Sequence, residues 1–139
     1  MAQAKLLRLI IAAAMSAAYS VAAAQTLDFD VYRTRVEPIF SKAREGHARC
    51  VVCHSEATNA FRLQAWGPKT TAFTAEQSRL NFEMISRLVR PGNPERSILL
   101  LHPLAKDAGG GEFHSGGRQF ESKNDPDWQA IASWIRGAK

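Results

Sequence analysis

The chain has 139 residues, a length that fits one small domain, and its formal net charge is +5. No basic stretch is interleaved with aromatic side chains, so the charge gives no support to nucleic-acid binding. The sequence contains two cysteines, which are too few for the disulfide framework of a small secreted domain. A nucleic-acid-binding domain and a disulfide scaffold are therefore both disfavoured.

The first 24 residues have the pattern of a secretory signal peptide. Lys5 and Arg8 precede an apolar run, and three alanines ending at Ala24 are typical of a cleavage site. The apolar run is about ten residues long, well short of the ~20 that a membrane-spanning helix needs. We predict cleavage after Ala24, export to the periplasm, and a mature domain over residues 25–139 that has no transmembrane segment.

The mature sequence opens with a helical pattern. Apolar residues recur every three or four positions between Tyr32 and Ala43 and define one face. Asp28 or Asp30 can cap the start of this helix. Pro38 lies inside the pattern, and because its ring clashes with the preceding turn we expect it to kink the helix or to divide it into two pieces.

The sequence Cys50-Val51-Val52-Cys53-His54 is that of a c-type haem attachment site. Two cysteine sulfurs at this spacing can form thioethers with the two vinyl groups of a porphyrin, and the histidine that follows can bind the iron. A redox dithiol would need a strand before the motif, where the sequence predicts a helix. A structural zinc site would need two further ligands at short spacing, and the chain has no second pair. The motif therefore predicts one covalently bound haem c, with His54 as the proximal iron ligand.

Three more helices and a glycine-rich loop follow the motif. Thr74 begins a helix with a capping box, Asn93 caps a short apolar helix, and Asp125 caps the last helix. Residues 107–124 form a loop between the last two helices, and His114 lies in the middle of its glycine run. Glycines on both sides allow the backbone to approach a flat ligand closely. No segment alternates as a strand does, so the sequence predicts an all-α domain.

Four stretches of the sequence resemble parts of a known family. They are Val36-Glu37-Pro38-Ile39, the haem motif, Pro91-Gly92-Asn93-Pro94-Glu95-Arg96-Ser97-Ile98-Leu99, and Trp134-Ile135-Arg136-Gly137-Ala138. Over residues 29–138 the chain resembles class I cytochrome c, and more closely the cytochrome c-like modules common in planctomycetes and related bacteria. The resemblance implies electron transfer and a small helical domain wrapped around one haem. By the same analogy, the second ring nitrogen of His54 donates to a backbone carbonyl, with Pro68 as the candidate acceptor.

The second axial ligand of the iron departs from the family pattern. Such cytochromes usually take a methionine from the loop before the last helix, but Met84 is the only methionine after the signal peptide, and its spacing is that of a core residue. His114 lies where the methionine is expected, and His102 or an open, water-bound site is the alternative. We predict ligation by His54 and His114, with His102 and then Met84 as fallback ligands. Two imidazoles are expected to give a lower reduction potential than histidine with methionine.

Three functions fit a haem site of this kind. The leading hypothesis is a periplasmic monohaem c-type cytochrome that exchanges electrons with redox partner proteins and is not itself an enzyme, either free or as a subunit of an exported oxidoreductase. The alternative is a haem-based sensor or a peroxide-reactive haem protein, which requires an open or displaceable distal site. A third is an interaction module in which the haem serves mainly the structure. Carbon monoxide binding to the reduced protein discriminates between the first two.

Overall fold

The computed structural model describes residues 26–139. The predicted signal peptide lies outside these residues. Within them the chain forms helices and no strand, and its only β-type contacts are two isolated bridges, Arg44 with His47 and Leu104 with Phe120. The prediction of an all-α domain is confirmed for this part of the chain. None of its helices has the length and apolar character needed to cross a membrane.

Six α-helices, one π-helical segment and two 3-10 turns make up the regular structure of residues 26–139. The α-helices are α1 (Phe29–Val31), α2 (Glu37–Ser41), α3 (Cys50–His54), α4 (Ala75–Ser86), α5 (Ile98–Leu101) and α6 (Pro126–Ile135). The π-helical segment is Tyr32–Val36, and the 3-10 turns are Pro94–Arg96 and Lys106–Ala108.

The sequence predicted that Pro38 would kink or divide the first helical stretch, and the structure has a change from π-helical to α-helical hydrogen bonding just before this proline. Helix α1 leads into the π-helical segment, and α2 begins immediately before Pro38. A proline is tolerated there because the first turn of a helix leaves its N–H groups without intrahelical partners. Asp28, and not Asp30, caps the start, since its carboxylate accepts a 2.9 Å hydrogen bond from the Val31 amide.

The first and last helical stretches pack against each other through aromatic side chains. Tyr32 and Trp134 are both fully buried, and their ring centroids lie 5.6 Å apart. Phe82 from α4 packs edge-on against Tyr32 at 5.3 Å. The indole N–H of Trp134 donates a 2.8 Å hydrogen bond to the Asp28 carbonyl. These contacts tie the two ends of the described chain together at one end of the core.

The predicted caps hold for two of the three later helices. Thr74 and Gln77 form the capping box of α4, and the Asp125 carboxylate accepts from the first amides of α6. Asn93 does not cap a helix with its side chain; it precedes the 3-10 turn, and α5 begins only at Ile98. The hydroxyl of Ser97 donates to the Asn93 carbonyl and accepts from the Arg90 amide.

Candidate functional site

One cavity brings together the cysteines and histidines that the sequence singled out. Its volume is about 460 Å³, within the range of about 300–1,000 Å³ that is usual for small-molecule and cofactor sites. Cys50, Cys53, His54, His102 and His114 all line it. Its apolar wall is formed by Ile39, Phe40, Phe61, Leu88, Ile98, Leu99, Phe120 and Ile131. Several separate parts of the chain therefore enclose one largely apolar space that has a few convergent polar groups.

Helix α3 presents both cysteines to this cavity. Positions i and i+3 lie on the same face of a helix, which explains why Cys50 and Cys53 line the same wall. Burial raises the pKa of the Cys50 thiol to about 11, although the residue stands at the start of a helix. A redox dithiol instead has a thiol whose pKa is lowered at such a position. The environment of Cys50 therefore favours a protonated thiol over a reactive thiolate.

His54 is oriented by a carbonyl that the sequence did not predict. Its Nδ1 donates a 2.7 Å hydrogen bond to the carbonyl of Phe61, whereas analogy had suggested Pro68. The Phe61 ring also contacts the imidazole, with 4.1 Å between centroids and an angle of 37° between the planes. With Nδ1 protonated, the neutral ring carries its lone pair on Nε2, which is the arrangement of a metal-binding histidine.

The surroundings of His54 keep the ring neutral. Burial lowers its pKa, the hydrogen bond to the Phe61 carbonyl opposes that effect, and the nearby His114 lowers the pKa further. A neutral imidazole is the form that ligates a metal ion, because the charged form has no lone pair to donate. The site therefore supports a ligand role for His54 near neutral pH.

His114 repeats the arrangement of His54 on the opposite segment of the chain. Its Nδ1 donates to the carbonyl of Gly117, so its Nε2 also carries the lone pair. Two glycines make this turn: Gly117 has a φ of 80°, and a Cβ on Gly116 would lie 3.4 Å from the imidazole. The value of φ favours glycine at position 117, whereas a Cβ at position 116 would make an ordinary van der Waals contact with the ring.

The two imidazole rings have a spacing that suits a single metal ion between them. The centroids of His54 and His114 are 6.2 Å apart, and their planes are inclined by 30°. A metal–nitrogen bond to imidazole is about 2 Å long, so two such rings on opposite sides of one ion have centroids roughly 6 to 6.5 Å apart. The observed spacing agrees with this value.

The two fallback ligands lie in different surroundings. His102 follows α5, is exposed, and lines the same cavity as His54 and His114. In residues 26–139 its ring has no carbonyl partner of the kind that orients the other two. Met84 lies in α4, half-buried, and is not among the residues that line the cavity. The geometry of the carbonyl contacts thus favours His114 over both.

The contacts of two arginines near the cavity were not predicted from the sequence. Arg118 donates to the carbonyls of His102 and Gly111 and so closes the base of the loop that carries His114. Arg49 lines the cavity and lies 5.9 Å from the ring centroid of Trp66, whose indole N–H is buried without a partner in the described part of the chain. The position of Arg49 directly before the haem motif was the only signal that could have identified it.

Comparison with protein-family models, with curated proteins and with solved structures finds no match for this chain. Residues 26–139 contain no group of three or more His, Cys, Asp or Glu side chains that could hold a metal ion. A haem iron takes four ligands from its porphyrin, so two protein nitrogens complete its coordination. His54 and His114 both line the cavity and can supply two such nitrogens.

Proposed function

We propose that this protein is a c-type cytochrome that transfers electrons through one covalently bound haem c. Cys50 and Cys53 would hold the haem as thioethers, and His54 and His114 would ligate the iron. The observation that carries the proposal is the 6.2 Å spacing of the two imidazoles in a cavity that the cysteine pair also lines. Each imidazole is already oriented by a carbonyl, as is usual for a metal-binding histidine.

The residues around the cavity suit the apolar ring and the propionates of a haem as well as its iron. The apolar wall matches the porphyrin, while Arg49 on the cavity wall and the indole N–H of Trp66 beside Arg49 are donors that lack an anionic partner in residues 26–139. The two propionates of haem c are acceptors of the kind that such donors bind. A buried donor without an acceptor costs free energy, so a carboxylate at this place would remove that cost.

When bound, haem c supplies a centre that gains and loses one electron. The chain's own contribution would be to hold the iron with the imidazoles of His54 and His114, which would leave no open coordination position for a substrate. The carbonyls of Phe61 and Gly117 increase the electron donation of the two rings, because they accept from Nδ1. Both effects favour the oxidised state and a low reduction potential.

The proposal extends to the fold and to the location of the protein. A cytochrome c-like fold is supported by the packing of the first and last helices through Tyr32 and Trp134, with the cavity beside α3 and α5. Periplasmic export is supported by the signal pattern of residues 1–24, since covalent haem attachment is expected outside the inner membrane. Its partners would be redox proteins that dock near the cavity mouth.

Expression of the full chain in a bacterium that matures c-type cytochromes tests the proposal. We expect the exported protein to have the mass of residues 25–139 plus one haem, and the haem to remain bound during acid–acetone extraction. The double variant Cys50→Ala, Cys53→Ala is the control and is expected to yield no holoprotein. Haem that is extracted from the wild-type protein would contradict thioether attachment.

A second candidate function is a ligand-binding haem protein. It is favoured by one observation, namely that the exposed His102 lines the same cavity. If a small ligand displaced His114 from the iron, the His102 side chain would be a hydrogen-bonding group within that cavity. The glycine-rich loop around His114 would allow such a displacement. Rapid carbon monoxide binding by the reduced wild-type protein would favour this candidate, and slow binding would favour the electron carrier.

A further inference from the structure

Arg44 joins the segment before the cysteine motif to the segment after His114. Its guanidinium forms two hydrogen bonds of 2.9 Å with the Asp125 carboxylate, and it also donates to Asp127. The guanidinium also donates a 2.9 Å hydrogen bond to the carbonyl of Gln119, a residue that lines the cavity. One side chain therefore connects two segments that are far apart in sequence and that flank the two histidines.

The ion pair is of the stronger kind. The side chains of Arg44 and Asp125 are each 19% exposed, and that of Asp127 is 13% exposed. A bidentate, partly buried arginine–carboxylate pair has a fixed geometry that a lysine cannot reproduce. The guanidinium also lies 4.9 Å from the ring centroid of Phe120, a distance typical of a cation–π contact.

A second link connects the same two segments, and it also passes through Gln119. The side-chain amide of Gln119 donates a 3.2 Å hydrogen bond to the carbonyl of Ala48, which also lines the cavity. A tight turn closed by the His47 amide and the Arg44 carbonyl, at 3.1 Å, makes the approach to the motif short and rigid. The wall next to His54 and the wall next to His114 are therefore held together on one side of the cavity.

We infer that Arg44 is a positioning residue that keeps His114 at ligand distance from the site beside His54, an inference that rests on the proposed function. Arg44 touches neither imidazole. It acts by holding Gln119, and through it the base of the loop, against the segment that leads into α3. Loss of this clamp would leave His54 in place and would let the His114 loop move away from the cavity.

Three variants and one control test the inference in the holoprotein. Arg44→Gln removes the clamp, and Asp125→Asn weakens it while keeping a side chain that caps α6 well. Lys106→Gln is the matched control, because the Lys106–Glu112 ion pair lies in the same part of the chain but is 64% and 83% exposed. Arg44→Lys tests whether a positive charge at position 44 is enough to hold His114 in place without the bidentate geometry of arginine.

Carbon monoxide binding to the reduced protein is the first readout. We expect Arg44→Gln and Asp125→Asn to bind carbon monoxide at least tenfold faster than wild type, Arg44→Lys to be intermediate, and Lys106→Gln to be unchanged. Rates within twofold of wild type in both clamp variants would overturn the inference, even if the variants unfold at a lower temperature. If Arg44→Gln accumulates no holoprotein, the rate measured for Asp125→Asn decides between these two outcomes.

Hydrogen exchange separates this inference from the proposed function, because it needs no iron. The Gly117 amide donates to the His114 carbonyl at 3.0 Å, and the Ser78 amide lies in α4, away from the loop. We expect at least tenfold faster exchange at Gly117 in the clamp variants and unchanged exchange at Ser78. Equal acceleration at both amides would show general destabilisation and would overturn a positioning role. A wild-type protein without covalent haem would overturn the proposed function. The exchange rate at Gly117 would still show whether Arg44 holds the His114 loop in place.

Discussion

The imidazole rings of His54 and His114 face the same cavity with their centroids 6.2 Å apart. One comes from the short helix of the cysteine motif and the other from a glycine-rich loop near the end of the chain. Each donates through Nδ1 to a carbonyl only a few residues away, Phe61 for His54 and Gly117 for His114. The two rings are thus oriented independently, and their spacing is a property of the fold.

Replacement of His114 by alanine is expected to free one coordination position of the iron. Without the second imidazole, the oxidised protein should become high-spin and the reduced protein should bind carbon monoxide, as absorption spectra would report. His102→Ala is the matched control and should leave the protein low-spin, because its ring lacks an orienting carbonyl in residues 26–139. If His102→Ala became high-spin and His114→Ala stayed low-spin, His102 and not His114 would be the second ligand.

His114→Met is expected to raise the reduction potential. A thioether donates less electron density to iron than an imidazole does, so it stabilises the reduced state relative to the oxidised one. Potentiometric titration of the wild-type and variant proteins measures the change. A variant that is low-spin and has an unchanged or lower potential would count against His114 as the ligand that is replaced.

The stability of the protein is expected to fall in acid partly because of Asp125. The hydrogen bond from Arg44 holds the pKa of this carboxyl below its ordinary value of 3.8. A lowered pKa in the folded state stabilises the fold above pH 3.8, and that contribution is lost as the pH falls through the folded value. Denaturation curves should therefore show a steeper loss below about pH 4 in wild type than in Asp125→Asn. Parallel curves would show that the pair contributes nothing to stability.

Two neighbouring glycines are expected to differ in their tolerance of a side chain. A Cβ on Gly110 would lie 1.9 Å from the backbone carbonyl oxygen of Leu104, so Gly110→Ala should cost about 3 kcal/mol of unfolding free energy. A Cβ on Gly111 would lie 3.6 Å from its nearest neighbour, the ring of His102, and Gly111→Ala should change stability by only about 0.5 kcal/mol. Chemical denaturation measures both. Equal costs would contradict the close backbone contact at Gly110.

Local signals predicted much of the fold. The helical class and the caps at Asp28, Thr74 and Asp125 follow from short-range patterns, because a cap and its helix are neighbours in sequence. The absence of a side-chain cap at Asn93 was not predicted from the sequence. Sequence reasoning identified the cysteines and histidines of the cavity by their chemistry, and the fold brings them together.

Tertiary contacts could not be predicted in the same way. The acceptor for His54 is the carbonyl of Phe61. This contact depends on how the chain turns after α3, and no residue pattern in the sequence indicates that turn. Arg44 and Asp125 are individually ordinary charged residues, and only the fold makes them a pair. Arg118 closes the base of the His114 loop on backbone carbonyls, and carbonyl acceptors cannot be read from residue types.

Electron paramagnetic resonance of the oxidised, exported protein tests the central claim most directly, because it reports the spin state and the axial ligands of the iron together. Ligation by His54 and His114 predicts a low-spin ferric spectrum with g-values of the bis-imidazole type. A high-spin spectrum, or a low-spin spectrum with g-values of the histidine–methionine type, would contradict the assignment of these two histidines as the pair that holds the iron.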